Sequence, residues 1–262
     1  MDTSRFSLEG KCALITGGSR GIGRACALAF ADAGANVAVS GRKLPGLEEV
    51  VSDIEAKGGK GFAVAAHVAK FNDSKMLVDK VMEKFGRIDI LMNNAGTNPY
   101  NGFLLDAEEW AWDTTMNVNL KGPFMLSQLV ARIMKEKGGG NIINTSSTGG
   151  MRAGGLSIYS VTKAALIMLT QCMAREWGQY GIRVNAIAPG VIETRLSEAL
   201  WKDPAVGEAA AKRTALGFIG VPDDVVGAVL FLASNASRYI TGTTIVMDGG
   251  ALVGSPASAG SE

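Results

Sequence analysis

Residues 11–33 read KCALITGGSRGIGRACALAFADA, and this stretch decides the fold. Residues 11–16 are a short β-rich apolar run. The turn Thr16-Gly17-Gly18-Ser19-Arg20-Gly21-Ile22-Gly23 follows at once, and residues 24–33 then carry a helical period. Strand, Gly-rich turn and helix in that order is the setting in which a glycine pattern becomes informative. The glycines let the backbone turn sharply and bring its N–H groups, with the positive end of the helix dipole, against a pyrophosphate. The spacing is G-x-x-x-G-x-G rather than G-x-G-x-x-G, so the generic fingerprint does not strictly match. No Lys-Ser/Thr follows the glycines, which excludes a Walker A loop.

The same alternation continues outward. Residues 36–40, 61–66, 88–93, 141–146, 183–188 and 243–248 read as further strands with near-continuous apolar character, the pattern of strands covered on both faces. Helical segments lie between them at 21–33, 44–57, 72–85, 107–137, 157–180 and 222–234. The expected architecture is α/β: one doubly wound domain over 1–262, with a seven-stranded parallel sheet and helices on both faces. The exception is 190–220, too long for an ordinary connection and mixing Leu196, Leu200, Trp201, Leu216 and Phe218 with charges. It is expected to be a substrate lid. The tail 254–262 (GSPASAGSE) is small and polar, and is expected to fray without a partner subunit.

Composition narrows the function. Of 262 residues 47% are hydrophobic, enough for a sizeable core, and 26 Lys+Arg against 25 Asp+Glu give no field that would draw nucleic acid or a membrane surface. Glycine, at 34 residues, is nearly twice as frequent as the usual ~7% and marks many tight turns. Three cysteines without framework spacing, and charges at Asp2, Arg5, Glu9 and Lys11, point to a cytoplasmic protein without a signal peptide. The longest run without a polar side chain, 225–233, is too short for a membrane span.

Two further places suggest chemistry. The second strand ends Val39-Ser40-Gly41-Arg42-Lys43, with no acid to bind the ribose hydroxyl of NAD(H). Arg42, helped by Arg20, would instead attract a 2′-phosphate, so NADP(H) is favoured over NAD(H). In Tyr159-Ser160-Val161-Thr162-Lys163 the first and last side chains are one helical turn apart. A neighbouring cation favours the phenolate, which predicts a Tyr159 more acidic than an ordinary phenol. Ser146, 13 residues earlier at the carboxyl end of a predicted strand, is placed to bond a substrate carbonyl oxygen.

With these motifs the chain resembles the short-chain dehydrogenase/reductase family, a Rossmann-fold family, over 11–252. The resemblance rests on Thr16-Gly17-x-x-x-Gly21-x-Gly23, Asn93-Asn94-Ala95-Gly96, Asn119 within Asn117-Val118-Asn119-Leu120-Lys121-Gly122, and Ser146, Tyr159 and Lys163. It also rests on Pro189-Gly190-Val191-Ile192-Glu193-Thr194, Tyr239-Ile240-Thr241-Gly242 and Asp248-Gly249-Gly250. The resemblance implies hydride transfer between a nicotinamide and a carbonyl carbon, with a catalytic tetrad of Asn119, Ser146, Tyr159 and Lys163. In it Tyr159 moves the proton, Lys163 tunes it and holds the ribose, Ser146 polarises the carbonyl, and Asn119 holds a relay water. The cofactor contacts it implies are Gly17, Ser19, Arg20, Gly21, Ile22 and Gly23; Ser40 and Arg42; His67 and Val68; Asn94, Ala95 and Gly96; Tyr159 and Lys163; and Pro189, Gly190, Ile192 and Thr194. It further implies a homotetramer through the long helices at 107–137 and 157–180.

One position departs from the family. Members carry Asp-Val at the end of the third strand, where the acid meets the adenine amino group; here it is His67-Val68. His67, the only histidine, is thus an adenine-pocket candidate or a packed side chain rather than a catalytic base. Cys12, Cys26 and Cys172 read as packing residues, Trp110 and Trp112 as packing residues on different helix faces, and no cluster has metal-ligand spacing. The expected partner is a small carbonyl or alcohol substrate. The variants within the family are 3-oxoacyl-(acyl carrier protein) reduction and sugar or polyol oxidation, for which Asn98-Pro99-Tyr100-Asn101 could offer polar contacts. A non-catalytic dinucleotide sensor is the reading from outside the class, and retention of the full tetrad argues against it. Specificity is expected to reside in 97–103, 148–156 and 190–220.

Overall fold

Strand β1 (Cys12–Thr16) is buried along its whole length, as an apolar run without alternation requires when both faces are covered. Ala13 and Ile15 pack with Phe30 of helix α1 (Gly21–Asp32) in one layer; Cys12 and Leu14 face the other. The computed structural model describes residues 3–155 and 157–254. Strands β2 (Asn36–Gly41), β3 (Lys60–Ala65), β4 (Ile90–Asn93), β5 (Gly140–Thr145), β6 (Ile182–Pro189) and β7 (Thr244–Met247) complete one parallel sheet in the order β3-β2-β1-β4-β5-β6-β7. All seven lie within two residues of the ranges read from sequence. Ile15 pairs with Val39 on one side and Met92 on the other, so the order reverses at β1. The crevice outside the carboxyl ends of β1 and β4 is the ligand position of an open α/β sheet.

Helices α2 (Pro45–Ala56) and α8 (Pro222–Ala233) join α1 on one face; α3 (Phe71–Phe85), α5 (Gly122–Glu136) and α6 (Ser157–Trp177) cover the other. The run 107–137, expected as one helix, is broken. Helix α4 (Glu109–Met116) leads into a π turn at Asn117–Lys121 before α5 begins. Pro123 has no N–H to give to the Asn119 carbonyl, and a Cβ on Gly122 would stand 2.8 Å from the Val68 carbonyl oxygen. The helix widens there.

The segment 190–220 is not a bare loop. It carries a 3-10 stretch at Arg195–Leu200 and helix α7 (Pro204–Ala211), whose first N–H groups are capped by Asp203. It closes on itself through a parallel bridge between Ile192 and Gly220. Residues 255–262 of the predicted tail, and Leu156 of the predicted specificity segment, lie outside the described residues. No helix among the described residues is long and apolar enough to cross a membrane.

Candidate active site

The Gly-rich turn is held by side chains from the neighbouring strand. The Thr16 hydroxyl accepts from the N–H groups of Asn94 and Ala95, both at 3.1 Å. Asn94 Nδ2 donates back to the carbonyls of Thr16 and Gly17 at 3.0 and 3.2 Å. Gly17 has φ +65, and a Cβ there would come within 3.0 Å of Ala95 Cα. A Cβ on Gly23 would lie 2.3 Å from the Gly17 carbonyl oxygen. Backbone is in the way at both positions, so only glycine fits. Arg20 precedes α1 with no side-chain cap, and no acid stands in the helix's first turn. Its positive end is therefore left to an anion.

Around this cradle the expected contacts separate. Arg20 and Arg42 are exposed, and neither is in an ion pair among the described residues. Ser40 is fully buried; its carbonyl accepts from Gly18 N–H at 3.1 Å, so it braces the turn instead of presenting its hydroxyl to solvent. Pro189 and Gly190 end β6 beside the site, and Gly190 N–H donates to Met247. Ile192 is buried, and Thr194 Cγ2 would meet a Cβ on Gly21 at 3.2 Å, which brings the start of 190–220 over the cradle. His67 Nδ1 accepts from Ala69 N–H at 3.2 Å, and the His67 backbone N–H donates to an Asp73 carboxylate oxygen at 2.9 Å. The His67 ring is thus engaged through Nδ1 within its own turn.

The catalytic candidates meet at the carboxyl ends of β5 and β6. Tyr159 and Lys163 share one face of α6, with Lys163 Nζ 5.4 Å from the centre of the Tyr159 ring and donating to the Thr145 carbonyl at 2.6 Å. Asn119 Oδ1 accepts from Thr97 N–H at 2.8 Å; its Nδ2 donates to the Thr97 carbonyl at 2.8 Å and to the Thr162 hydroxyl at 3.2 Å.

Two expectations are corrected here. Ser146 is 2% exposed, and its hydroxyl donates to the Lys163 carbonyl at 2.8 Å, facing α6 and not the crevice. The next residue, Ser147, is the one whose hydroxyl favours the ionised form of the Tyr159 phenol; that hydroxyl accepts from Gly149 N–H at 3.1 Å and stands 3.5 Å from the Pro189 carbonyl. Side chains alternate along β5, so Ser146 follows the buried Asn144 inward and Ser147 emerges on the other side. The second correction concerns acidity. Burial pushes the Tyr159 phenol up to about 12, with the Ser147 hydroxyl acting against it, and burial brings the Lys163 ammonium down to about 8. Desolvation is the dominant cause and only Ser147 opposes it, so the Tyr159 phenol is held protonated rather than softened.

Outside the site, Cys12 and Cys26 are buried with thiols pushed up to about 12 by burial, whereas Cys172 is exposed and not a packing residue. Trp110 and Trp112 remain about half exposed. No group of three metal-capable side chains occurs among the described residues.

Comparison with known proteins bears on the family and the fold. The family described as enoyl-(acyl carrier protein) reductase matches residues 17–251. "Dehydrogenase/reductase SDR family member 4" of Caenorhabditis elegans is 42% identical over 250 residues, covering 92% of this chain and 95% of that one. The 3-oxoacyl-[acyl-carrier-protein] reductase FabG of Thermotoga maritima is 40% identical over 247 residues, covering 94% and 99%. Among solved structures, a gluconate 5-dehydrogenase from Burkholderia cenocepacia in complex with NADP and tartrate superposes with TM-score 0.91 at 38% identity, covering 95% of this chain and 98% of that one.

Proposed function

The chain belongs to the short-chain dehydrogenase/reductase family, and from that premise we propose that it interconverts a carbonyl and an alcohol with NADP(H). One observation carries the proposal: a buried phenol with an ammonium group 5.4 Å from its ring centre on the same helix face, near a glycine cradle. The residues fit a dinucleotide, since the cradle excludes Cβ atoms and leaves a helix N-terminus uncapped. When bound there, the nicotinamide supplies or takes the hydride. Gly17, Ser19, Arg20, Gly21, Ile22 and Gly23 would hold the pyrophosphate. Asn94, Ala95, Gly96, His67 and Val68 would flank the adenosine; Pro189, Gly190, Ile192 and Thr194 the nicotinamide. Arg42 with Arg20 supports NADP(H), as both are exposed cations beside a strand end that carries no acid.

Tyr159 donates its proton to the carbonyl oxygen in reduction and recovers it in oxidation. A phenol held protonated by burial is already in the donor form at neutral pH. Ser147 aims a hydroxyl at the same oxygen and stabilises its developing charge. Lys163, still cationic at neutral pH, keeps a positive charge beside the phenol, and Asn119 braces the segment after Gly96 and the helix of Tyr159 through Thr162.

A small or medium carbonyl compound is the substrate class we favour. Oxoacyl-thioester reduction is the second reading, supported by the likeness to the Thermotoga protein. The polyol reading has the likeness to the gluconate dehydrogenase, but the Tyr100 hydroxyl donates to the Phe103 carbonyl at 2.7 Å and is committed inside its loop. The 190–220 segment acts as the lid. Exposed Phe103, Leu105, Trp110, Val161 and Met168 support burial between copies; the homotetramer rests on the family resemblance alone, and the cytoplasmic setting on the sequence alone. The test is consumption of NADPH and NADH by the purified protein over oxoacyl thioesters, sugars, diketones and ketones. NADPH-dependent turnover of at least one carbonyl class is expected. Cofactor binding without turnover on any of them would favour the dinucleotide sensor.

A further inference from the structure

The segment between the glycine cradle and the catalytic helix is tied down at both ends. Thr97 is gripped by Asn119 through both its N–H and its carbonyl. The preceding Gly96 borders Lys163, whose Nζ would lie 3.7 Å from a Cβ placed there. At the far end, the Gly102 carbonyl accepts from the Ser157 hydroxyl at 3.0 Å. Between the two, Tyr100 closes the turn onto Phe103 and occupies the space of a Gly102 Cβ, its Oη only 2.5 Å from that point. The 97–103 segment is therefore anchored near Lys163 at one end and on Ser157, the first residue of α6, at the other.

Ser157 is that first residue, and it is unusual. Among the described residues it is the one non-glycine with positive φ, at 31°. A side chain persists in that region when its surroundings over-determine it, and such residues gather at functional sites. Ser157 stands two positions before Tyr159, and its hydroxyl bonds the Gly102 carbonyl.

We propose that Ser157 is a positioning residue for the substrate: its hydroxyl latches the 97–103 segment onto the helix that carries Tyr159 and so fixes the wall of the substrate site. The inference rests on the oxidoreductase reading for its kinetic consequence but not for its structural one. Ser157→Gly removes the hydroxyl while accepting the positive φ; Ser157→Ala removes the hydroxyl and keeps the Cβ. Both are expected to raise KM for the carbonyl substrate about five- to tenfold, the effect of one lost hydrogen bond, with kcat changed less and the Kd for NADPH unchanged. Ser157→Asn, whose amide can donate to the same carbonyl and whose backbone tolerates positive φ, should restore KM. Hydrogen exchange in the peptide spanning 97–103 should accelerate in the Gly and Ala variants and return toward the parent in Asn. Parental KM and parental exchange in Ser157→Gly would overturn the latch. A deficit in Ala that Gly lacks would overturn it too, leaving backbone strain as the cause. If the parent turns over no carbonyl, the functional reading fails on that result, and the exchange measurement still decides the latch.

Discussion

The cofactor end of the crevice and its substrate end are built on opposite plans. At the cradle, contacts are backbone to backbone: Gly17 against Ala95, Gly23 against Gly17, with the Thr16 hydroxyl bonding two amides of the next loop. Little there can vary without collision. At the substrate end, 97–103, 148–155 and 190–220 expose Phe103, Met151, Arg152, Leu196, Leu216 and Phe218, and side chains rather than backbone set the surface. One end encodes which dinucleotide chemistry is possible. The other encodes on what it acts, and many sequences would serve it.

The sharpest way to break this contrast is at Gly23. Gly23→Ala sets a methyl against the Gly17 carbonyl, where only backbone can yield, and is expected to abolish NADPH binding and lower Tm. Fluorescence titration and thermal unfolding check it; a variant that binds like the parent would mean the cradle is as forgiving as the substrate wall. Next in size, Ser147→Ala should cut kcat about 10²-fold with little change in NADPH affinity, the loss typical of one donor to a developing oxyanion. Ser146→Ala should instead cost stability, about 1 kcal/mol for one buried hydrogen bond, and leave more of kcat intact. The reverse order in steady-state assays would return the role to Ser146. Arg42→Asp should weaken NADPH binding about tenfold or more while sparing NADH, since it replaces a charge-assisted bond with repulsion. Equal losses for both cofactors would remove Arg42 from the 2′-phosphate.

The smallest expected effect is in the pH profile. Burial lowers Lys163 to about 8 and raises Tyr159 to about 12, so as pH rises the lysine gives up its proton first. Reduction should hold level up to about pH 7, fall to half near pH 8 and decline further above it as the ammonium charge is lost, with the phenol still protonated. A profile level to pH 10 would mean that the charge on Lys163 is not needed.

The seven strands, the cradle and the Tyr159–Lys163 pair were legible because each depends on a local rule. These are continuous apolar runs for doubly covered strands, glycine where backbones touch, and a four-residue spacing for one helix face. The choice between Ser146 and Ser147 was not, since both stand at the strand end and only the phase of the β5 side-chain alternation decides which faces the crevice. The acidity of Tyr159 was misjudged because spacing reports the neighbouring cation and says nothing of the depth of burial. The break in 107–137 had a signal in Gly122-Pro123, and α7 had one in Asp203-Pro204, each a helix-boundary cue inside a longer pattern. His67 spends Nδ1 on the Ala69 N–H of its own turn, a local contact that the sequence does not reveal. Cys172 lies on an α6 face that faces outward, which the apolar character of its neighbours concealed.

Single-turnover oxidation of bound NADPH by a carbonyl substrate, in the parent and in Tyr159→Phe, bears most directly on the chemistry assigned to this crevice. Loss of 10²- to 10⁴-fold in the rate of hydride transfer, at unchanged Kd for NADPH, is the expected result for removal of the proton donor. A Phe variant that transfers hydride within a few-fold of the parent would contradict it.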